Sequence, residues 1–253
     1  MKKILLITYI SLILLLVIPV TQGRRPQFDP FYYPEHPVIT PGFQGNLDSS
    51  YVKHPELFWD GANFRIYYTG IDWMGVSRIL LALSDNLVDW TPAGIVLEPG
   101  GDTFDKDGVS APEIIKVDGI YHLYYTASNG QWFQIAHVSS SDGINFSGQR
   151  NIVLGPSYNS ERFDSIGVGN PSVIYHNDMF HMVYRGYDGS PWRRLGLATS
   201  SDGLEFTRLM VDHDRGAIFG RGPKGFDDGG ADDPEIWLGN DNSVRMLYTS
   251  LHY

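Results

Sequence analysis

Two pairs of aspartates lie close together in residues 226–237, FDDGGADDPEIW, and the second pair stands directly before a proline. Neighbouring carboxyl groups ionise at different pH values, because each negative charge raises the pKa of the other. One group can then donate a proton to a leaving atom while a second accepts one, which is general acid–base catalysis. A solvated acidic turn or a calcium ligand is the alternative, and we favour the catalytic interpretation for Asp233.

The proline of this segment belongs to a unit that occurs four times in the chain. An aspartate stands seven residues before each proline, and a tyrosine thirteen or fourteen residues after it. Four matches at fixed offsets rarely arise by chance, so the chain is a repeat array whose units begin near residues 48, 105, 164 and 227. The prolines are Pro55, Pro112, Pro171 and Pro234, the aspartates Asp48, Asp105, Asp164 and Asp227, and the tyrosines Tyr68, Tyr125, Tyr184 and Tyr248.

Each unit contains short strand patterns separated by turns. An apolar run follows the proline, then a two-residue turn, an aromatic strand and a third apolar strand. A fourth, outer strand is predicted at residues 94–99, 151–156 and 217–220. Four antiparallel strands per unit predict the blades of an all-β propeller.

Five such units need roughly 295 residues, and the chain after residue 23 is shorter than this by about one unit. We therefore expect the five-bladed type with an incomplete C-terminal blade, and an incomplete four-bladed ring is the alternative. Residues 36–42 resemble an outer strand that could complete the final blade.

The first 23 residues have the pattern of a secretory signal peptide, with two lysines, an apolar run and small residues near Gly23. We therefore predict one propeller domain, residues 24–253, that is secreted or periplasmic. A membrane anchor is the alternative, and the polar segment that follows favours cleavage.

The chain has no cysteine, so a packed core must stabilise it without disulfides.

The composition restricts the partners of this domain. The formal net charge is −10, and the signal carries two lysines and no acid, so the domain alone is near −12. Such a charge argues against nucleic acid, since the phosphate backbone requires a basic surface. We expect a monomer with no membrane partner after cleavage and no required cofactor. Acids and waters in a central channel could nevertheless hold a calcium ion.

Positions that differ between repeats are candidates for a functional site. The residue before the proline is His54, Ala111, Asn170 or Asp233, and these four should meet at the central channel. The residue after the proline is a glutamate in three units, Glu113 among them. Carboxylates that converge in an exported, aromatic-rich protein indicate glycosidic-bond hydrolysis, which requires an acid and a second carboxylate.

These positions define a set of candidate residues. Arg185 joins the set because the other units have threonine at its position. We expect the aspartates seven residues before the prolines to be mostly structural, capping turns through backbone N–H groups, although Asp105 is also a candidate partner carboxylate. The catalytic candidates are Asp233, Glu113 and Asp105, and the substrate-binding candidates are His54, Asn170, Arg185, Asp232 and Asp48.

The recurring pattern FDxxGVxxP, DGxYHLYYT and SSDGxxF resembles the five-bladed propeller glycosidases, the group that holds glycoside hydrolase families 43, 32, 62 and 130. The resemblance extends from residue 36 to the end and implies a five-bladed fold that acts on carbohydrate. In family 43, acids precede the blade prolines, whereas His54 and Asn170 stand at two of those places here. Residues 111–113, APE, fit the second-blade pattern.

The second half is similar to family 130, in which an NP…YR segment and an EDPR segment carry substrate binding and the acid. This resemblance implies that Asn170 and Arg185 bind sugar or phosphate and that Asp233 donates the proton. Glu235 stands where that family has arginine, which argues against phosphorolysis. We therefore expect a glycoside hydrolase, with a non-catalytic carbohydrate-binding propeller as the main alternative and a purely structural interaction propeller as a third.

Overall fold

The computed structural model describes residues 37–43, 45–101, 103–212, 214–222 and 227–251. The predicted signal peptide lies outside the described residues. Within those ranges the chain forms fourteen β-strands and one short 3₁₀ turn, Asp214–Gly216. The same ranges contain no helix long and apolar enough to cross a membrane.

The strands form three four-stranded antiparallel units and one hairpin, and each contains one repeat proline in its innermost strand. The second and third units belong to one eight-stranded sheet, because a parallel pair between Phe133 and Gly167 joins them. We call the three units and the hairpin blades. The first blade is β1 Tyr51–Trp59, β2 Phe64–Ile71, β3 Ser77–Ser84 and β4 Thr91–Leu97. The second is β5 Gly108–Val117, β6 Ile120–Ser128, β7 Phe133–Ser140 and β8 Asn151–Leu154. The third is β9 Gly167–His176, β10 Met179–Tyr187, β11 Arg194–Ser200 and β12 Thr207–Leu209, and the hairpin of the fourth is β13 Gly230–Leu238 and β14 Val244–Leu251.

Apolar side chains fill the spaces between successive blades. Leu123, Tyr125 and Val138 of the second blade pack with Tyr67 and Leu81 of the first, and all five are almost completely buried. A second cluster joins the second and third blades. Burial between blades is the main stabilising term, as the lack of cysteine requires.

The outer strand of the third blade differs from the prediction. It was expected at residues 217–220, but β12 lies at Thr207–Leu209 and pairs with β11. Phe219 makes only an isolated bridge to Leu195. The physical reason is side-chain anchoring: Arg208 of β12 contacts the buried Asp164 at 2.6 Å, whereas the ring of Phe219 packs on Tyr248, with 4.7 Å between centroids.

The segment expected to act as an outer strand of the final blade also differs. His36 lies outside the described residues, and residues 37–43 contain no strand. Val38 and Ile39 instead pack against the apolar cluster of the first blade that contains Ile66 and Leu80. Burial against the first blade therefore replaces the expected strand pairing in this segment.

Each repeat proline lies inside its innermost strand, at a β-bulge. The proline and the residue before it together oppose one tyrosine of the neighbouring strand, in all four blades. A bulge accommodates proline because it interrupts the hydrogen-bond ladder where proline lacks an N–H. The residues before the prolines all have positive φ, at 50° for His54, 47° for Ala111, 47° for Asn170 and 44° for Asp233.

The repeated aspartates and tyrosines bind each other. In every blade the tyrosine hydroxyl that opposes the bulge donates to the aspartate, at 2.9–3.2 Å. The expectation that these aspartates cap turns through backbone N–H groups had the wrong partner, because the bulge brings the hydroxyl to the carboxylate. The pairs are Tyr68–Asp48, Tyr125–Asp105, Tyr184–Asp164 and Tyr248–Asp227.

Candidate active site

Three of the four residues before the prolines meet around one carboxylate. Asp233 Oδ1 accepts a hydrogen bond from the side-chain amide of Asn170. His54 Nε2 lies 4.0 Å from the same oxygen, and 45% of the Asp233 side chain is exposed. These contacts place residues from the first, third and fourth blades at one solvent-accessible point.

The imidazole of His54 is held from its other side. Its Nδ1 lies 3.4 Å from the hydroxyl oxygen of Thr69. Burial lowers the pKa of His54, and the nearby Asp233 carboxylate partly opposes that shift. Near neutral pH, His54 is therefore a neutral polar neighbour of Asp233, able to donate or accept a proton according to its tautomer.

Asp232 forms the most closely packed ion pair of the site. Its Oδ2 contacts Arg185 Nη1 at 2.8 Å and Arg193 Nε at 3.7 Å. Its Oδ1 accepts the backbone N–H of Asp233 at 3.0 Å. The guanidinium of Arg185 also lies over the ring of Tyr187, 4.1 Å from the centroid. Burial raises the pKa of Asp232, and the charge of Arg185 opposes that effect.

Three glutamates that follow the prolines form a second carboxylate group, which we call the glutamate cluster. Glu56, Glu113 and Glu235 each offer a carboxylate oxygen within 4.8 Å of the others. Burial raises the pKa of Glu113 and of Glu56 well above the usual range, and neighbouring glutamates add to both shifts. Burial also raises the pKa of Glu235 to about 7, although this residue keeps contact with solvent.

The glutamate cluster can hold protons or a hard cation. Like charges at this separation repel, so the cluster is stabilised when some of its members are protonated. Carboxylate oxygens at this spacing could also bind calcium, which takes oxygen ligands only. This agrees with the prediction that acids in the central channel could hold a calcium ion.

Inter-blade hydrogen bonds hold the position after the proline. Glu113 Oε1 accepts the backbone N–H of Val173 in the next blade at 2.6 Å. Ser172 replaces the glutamate in the third blade, and its hydroxyl accepts the N–H of Ile236 at 3.0 Å. The glutamate at this position therefore also has a structural part in joining blades.

Two of the predicted residues lie in the structural Tyr–Asp pairs. Asp105 is fully buried, and its oxygens accept from Thr103, from Tyr125 at 2.9 Å and from Arg150 at 2.8 Å. Asp48 accepts from its tyrosine in the same way. None of the hydrogen bonds or ion pairs described for either residue joins it to Asp233.

The remaining predicted residues fall into three groups by contact. Asn170 and His54 contact Asp233, Arg185 contacts Asp232, and Glu113 belongs to the glutamate cluster. Two residues of the site were not predicted from the sequence. Arg193 contacts Asp232, and the ring of Tyr187 lies beneath the guanidinium of Arg185. Tyr187 ends its strand next to the irregular turn 188–193, where the repeats share no pattern that could have marked it.

Comparison with known proteins identifies chains that share the fold. No protein-family model matches the chain. The chain is 30% identical over 147 residues to a 1,2-beta-oligomannan phosphorylase of Thermoanaerobacter sp. (strain X514), a match that covers 57% of the chain. The matched region is 46% of that relative, so the alignment spans about half of its length.

Solved structures of glycoside hydrolases share the fold over most of the chain. A thermostable family-43 glycoside hydrolase superposes with a TM-score of 0.64 at 19% identity, covering 79% of this chain and 65% of the other. An alpha-L-arabinofuranosidase from Lactobacillus brevis gives 0.61 at 14% identity, covering 83% and 70%. A family 117 glycoside hydrolase of Zobellia galactanivorans gives 0.58 at 18% identity, covering 83% and 70%. The predicted likeness to the propeller glycosidases is confirmed for the fold, and no single family is assigned.

Proposed function

We propose that this chain, which has the fold of the propeller glycoside hydrolases, hydrolyses glycosidic bonds of poly- or oligosaccharides at the point where its blades converge. The observation that carries the proposal is the environment of Asp233. Its carboxylate is half-exposed and is held by Asn170, with His54 at 4.0 Å. A carboxylate fixed by neighbours and open to solvent can exchange a proton with a glycosidic oxygen or with water.

The glutamate cluster is our candidate for the second carboxyl group. Hydrolysis requires one protonated and one ionised carboxyl group. Glu235 has a pKa of about 7 because of burial, and it keeps contact with solvent. Glu113 lies in the same cluster, and burial together with the nearby Glu235 raises its pKa, whereas the described contacts of Asp105 are all structural. We therefore favour the cluster over Asp105 as the partner.

A non-catalytic carbohydrate-binding propeller is the second candidate. Among the four residues before the prolines, Asp233 is the only carboxylate, and the others are His54, Ala111 and Asn170. A site with one carboxylate among its converging polar groups can bind a sugar without cleaving it. If the protein only binds carbohydrate, we expect saturable binding with no turnover.

Phosphorolysis is a third outcome, suggested by the name of the similar oligomannan phosphorylase. A phosphate co-substrate requires cationic groups with free donors. Arg185 is already paired with Asp232 and only 13% of its side chain is exposed. Hydrolysis is therefore our proposal, and a dependence of turnover on phosphate would contradict it.

The decisive test compares the wild type with Asp233→Asn on a panel of aryl glycosides and oligosaccharides, including β-1,2-linked mannosides, with and without phosphate and calcium. Asparagine keeps the shape and removes the exchangeable proton, so we expect turnover to fall at least about 100-fold while ligand affinity is retained. Calorimetric titration of the same ligands measures the affinity.

The matched control is Asp118→Asn, which changes an exposed aspartate with a similar φ of 50° on the turn between β5 and β6. We expect the control to keep full turnover. Equal activity in Asp233→Asn and the wild type would contradict the proposed role of Asp233. Binding without turnover in the wild type and in both variants would favour the carbohydrate-binding alternative.

We also propose that residues 1–23 are removed as a signal peptide and that the domain of residues 24–253 acts outside the cytoplasm as a monomer. The positive, apolar and small-residue pattern of this segment supports the proposal. N-terminal sequencing of the exported protein tests it, and an uncleaved N-terminus would contradict it.

A further inference from the structure

A side-chain hydrogen bond joins adjacent blades beside the residue before the proline. The hydroxyl of Thr69 accepts the backbone N–H of Ala111 at 2.9 Å. The hydroxyl of Thr126 accepts the N–H of Asn170 at 2.8 Å. In both cases a threonine on the second strand of one blade fixes the amide of the bulge in the next blade.

The junction between the third and fourth blades departs from this arrangement at two positions together. Arg185 stands at the threonine position, and a guanidinium cannot accept a hydrogen bond. The residue before Asp233 is Asp232, where the second and third blades have Ser110 and Gly169. One oxygen of Asp232 accepts the Asp233 N–H at 3.0 Å, and the other contacts Arg185 at 2.8 Å.

We propose that Arg185 and Asp232 form one positioning unit for Asp233 and that neither binds the sugar directly. Asp232 supplies the acceptor that threonine supplies at the other two junctions. Arg185 fixes that acceptor and balances its charge, which would otherwise stand unopposed beside Asp233. The functional consequence rests on the proposed role of Asp233, whereas the hydrogen bond itself does not.

The surroundings of Arg185 support a positioning role. Its guanidinium lies over Tyr187, whose ring stacks on Phe133 at 5.3 Å between centroids. Only 13% of the Arg185 side chain and 12% of the Asp232 side chain are exposed. Arg185 Nε is buried and makes no hydrogen bond with the described residues. An incoming sugar would have to break the ion pair before it could use either partner.

The backbone of Asp233 explains why such a unit is needed. Its φ of 44° lies in the left-handed region, which a residue with a side chain adopts less readily than glycine does. An amide held by a fixed acceptor keeps the residue in that conformation. The carboxylate of Asp233 is then directed to Asn170 and His54.

The test is a double-mutant cycle that rebuilds the junction of the first two blades. Arg185→Thr with Asp232→Ser restores the threonine–serine pair that Thr69 and Ser110 provide there. Asp232→Ser removes the ion-pair partner of Arg185, and Arg185→Thr leaves Asp232 with only the more distant Arg193, at 3.7 Å. We expect kcat to fall about 10-fold or more in each single variant. The double change should return kcat to within about 3-fold of the wild type with KM unchanged, because the two residues act as a unit.

A direct substrate contact gives the opposite result. The double variant would then be the least active of the three, and its KM would rise, which would overturn the proposal. Arg245→Thr serves as the control, since it removes an exposed arginine that lies 3.6 Å from Asp241 in the fourth blade. We expect no change in kcat or KM in this variant.

Amide hydrogen exchange of Asp233, followed by NMR, gives a readout that needs no activity. We expect slow exchange in the wild type and in the double variant, and faster exchange in Asp232→Ser alone. If the wild type turns over no substrate, the proposed function fails while the exchange rates still decide the positioning role. Exchange in the double variant as fast as in Asp232→Ser would overturn that role.

Discussion

The residue before each repeat proline decides which groups reach the site, because the bulge gives it a left-handed backbone. Asparagine and aspartate tolerate this conformation better than other residues with a Cβ. Asn170 and Asp233 therefore combine a suitable backbone with the two functional groups that bind each other. Ala111 adopts the same conformation with no functional group, so the bulge belongs to the fold and the chemistry depends on what each blade places there.

At the residue scale, the Tyr–Asp pairs should contribute stability, not catalysis. Tyr125→Phe removes the donor to the buried Asp105 carboxylate, and a hydrogen bond to a charged group contributes about 1.5–3 kcal/mol. We expect the free energy of unfolding in urea to fall by that amount, with the turnover of the folded protein unchanged.

The control for this change is Tyr175→Phe, because 37% of Tyr175 is exposed. It should leave the free energy of unfolding nearly unchanged. A loss of turnover at full stability in Tyr125→Phe would instead favour the catalytic role first considered for Asp105.

Comparison of the repeats identified the residues of the candidate site, but it did not predict which side chains these residues contact. The offset of Asp105 and Tyr125 from the proline indicated a structural role for both. Their contact depends on the bulge that opposes Tyr125, and single-residue propensities carry no information on such a cross-strand geometry. The same limit applies to the contact between Arg185 and Asp232, which lie 47 positions apart on different blades.

At the element scale, the start of β13 is set by a close backbone approach. Gly230 has a φ of 102°, and a Cβ there would overlap the carbonyl oxygen of Arg193. Gly230→Ala therefore carries both a backbone strain and a collision, and it must displace the strand that bears Asp232 and Asp233. We expect a loss of more than about 2 kcal/mol in the free energy of unfolding in urea, together with reduced ligand binding.

Gly61→Ala is the control, because it measures the cost of the backbone conformation without a steric overlap. Gly61 has the same φ of 102°, and no atom lies within 4 Å of the point that an added Cβ would occupy. We expect a cost of about 1–2 kcal/mol and unchanged binding. Equal losses in the two variants would show that the contact with Arg193 does not fix β13.

Strands that bury many apolar residues were predicted more accurately than strands that bury few. The third strand of the second blade, Phe133–Ser140, forms where the sequence predicts the third apolar strand of the unit, because its buried run alternates little and ends at a clear turn. The outer strand Thr207–Leu209 has only three residues, none of them buried. Its pairing depends on the anchor between Arg208 and Asp164, which hydrophobic patterns do not reveal.

At the scale of the whole molecule, two sets of buried groups bind protons with opposite effects on stability. Burial raises the pKa values of the glutamate cluster, so the folded protein binds more protons there than the unfolded chain does. The contribution of Glu235 to stability is lost as pH rises from about 4.5 to about 7, and Glu56 and Glu113 act in the same direction. His137 acts in the other direction. The pH dependence of wild-type stability therefore combines the effect of the glutamate cluster with that of His137. A variant that removes one of these groups separates the two effects.

His137 lies between β6 and β8 in the second blade and is 4% exposed, with its Nε2 3.0 Å from His122 Nδ1. Burial, and then the neighbouring His122, lower the pKa of His137 to about 4 from a usual value of 6.5. The folded protein thus binds fewer protons than the unfolded chain between these pH values. Its stability is fully present above about pH 6.5 and is lost as pH falls towards 4.

His137→Gln removes this titration while keeping a polar side chain. We expect the variant to be less stable than the wild type at pH 7.5, because a packed ring is lost, and to approach or exceed the wild type at pH 4.5. The shift of about 3 kcal/mol between the two pH values is measured by urea unfolding at each. His176→Gln, at the partly exposed end of β9, is the control and should follow the wild type at both. A constant difference between His137→Gln and the wild type would mean that His137 takes up a proton as readily in the folded protein as in the unfolded chain.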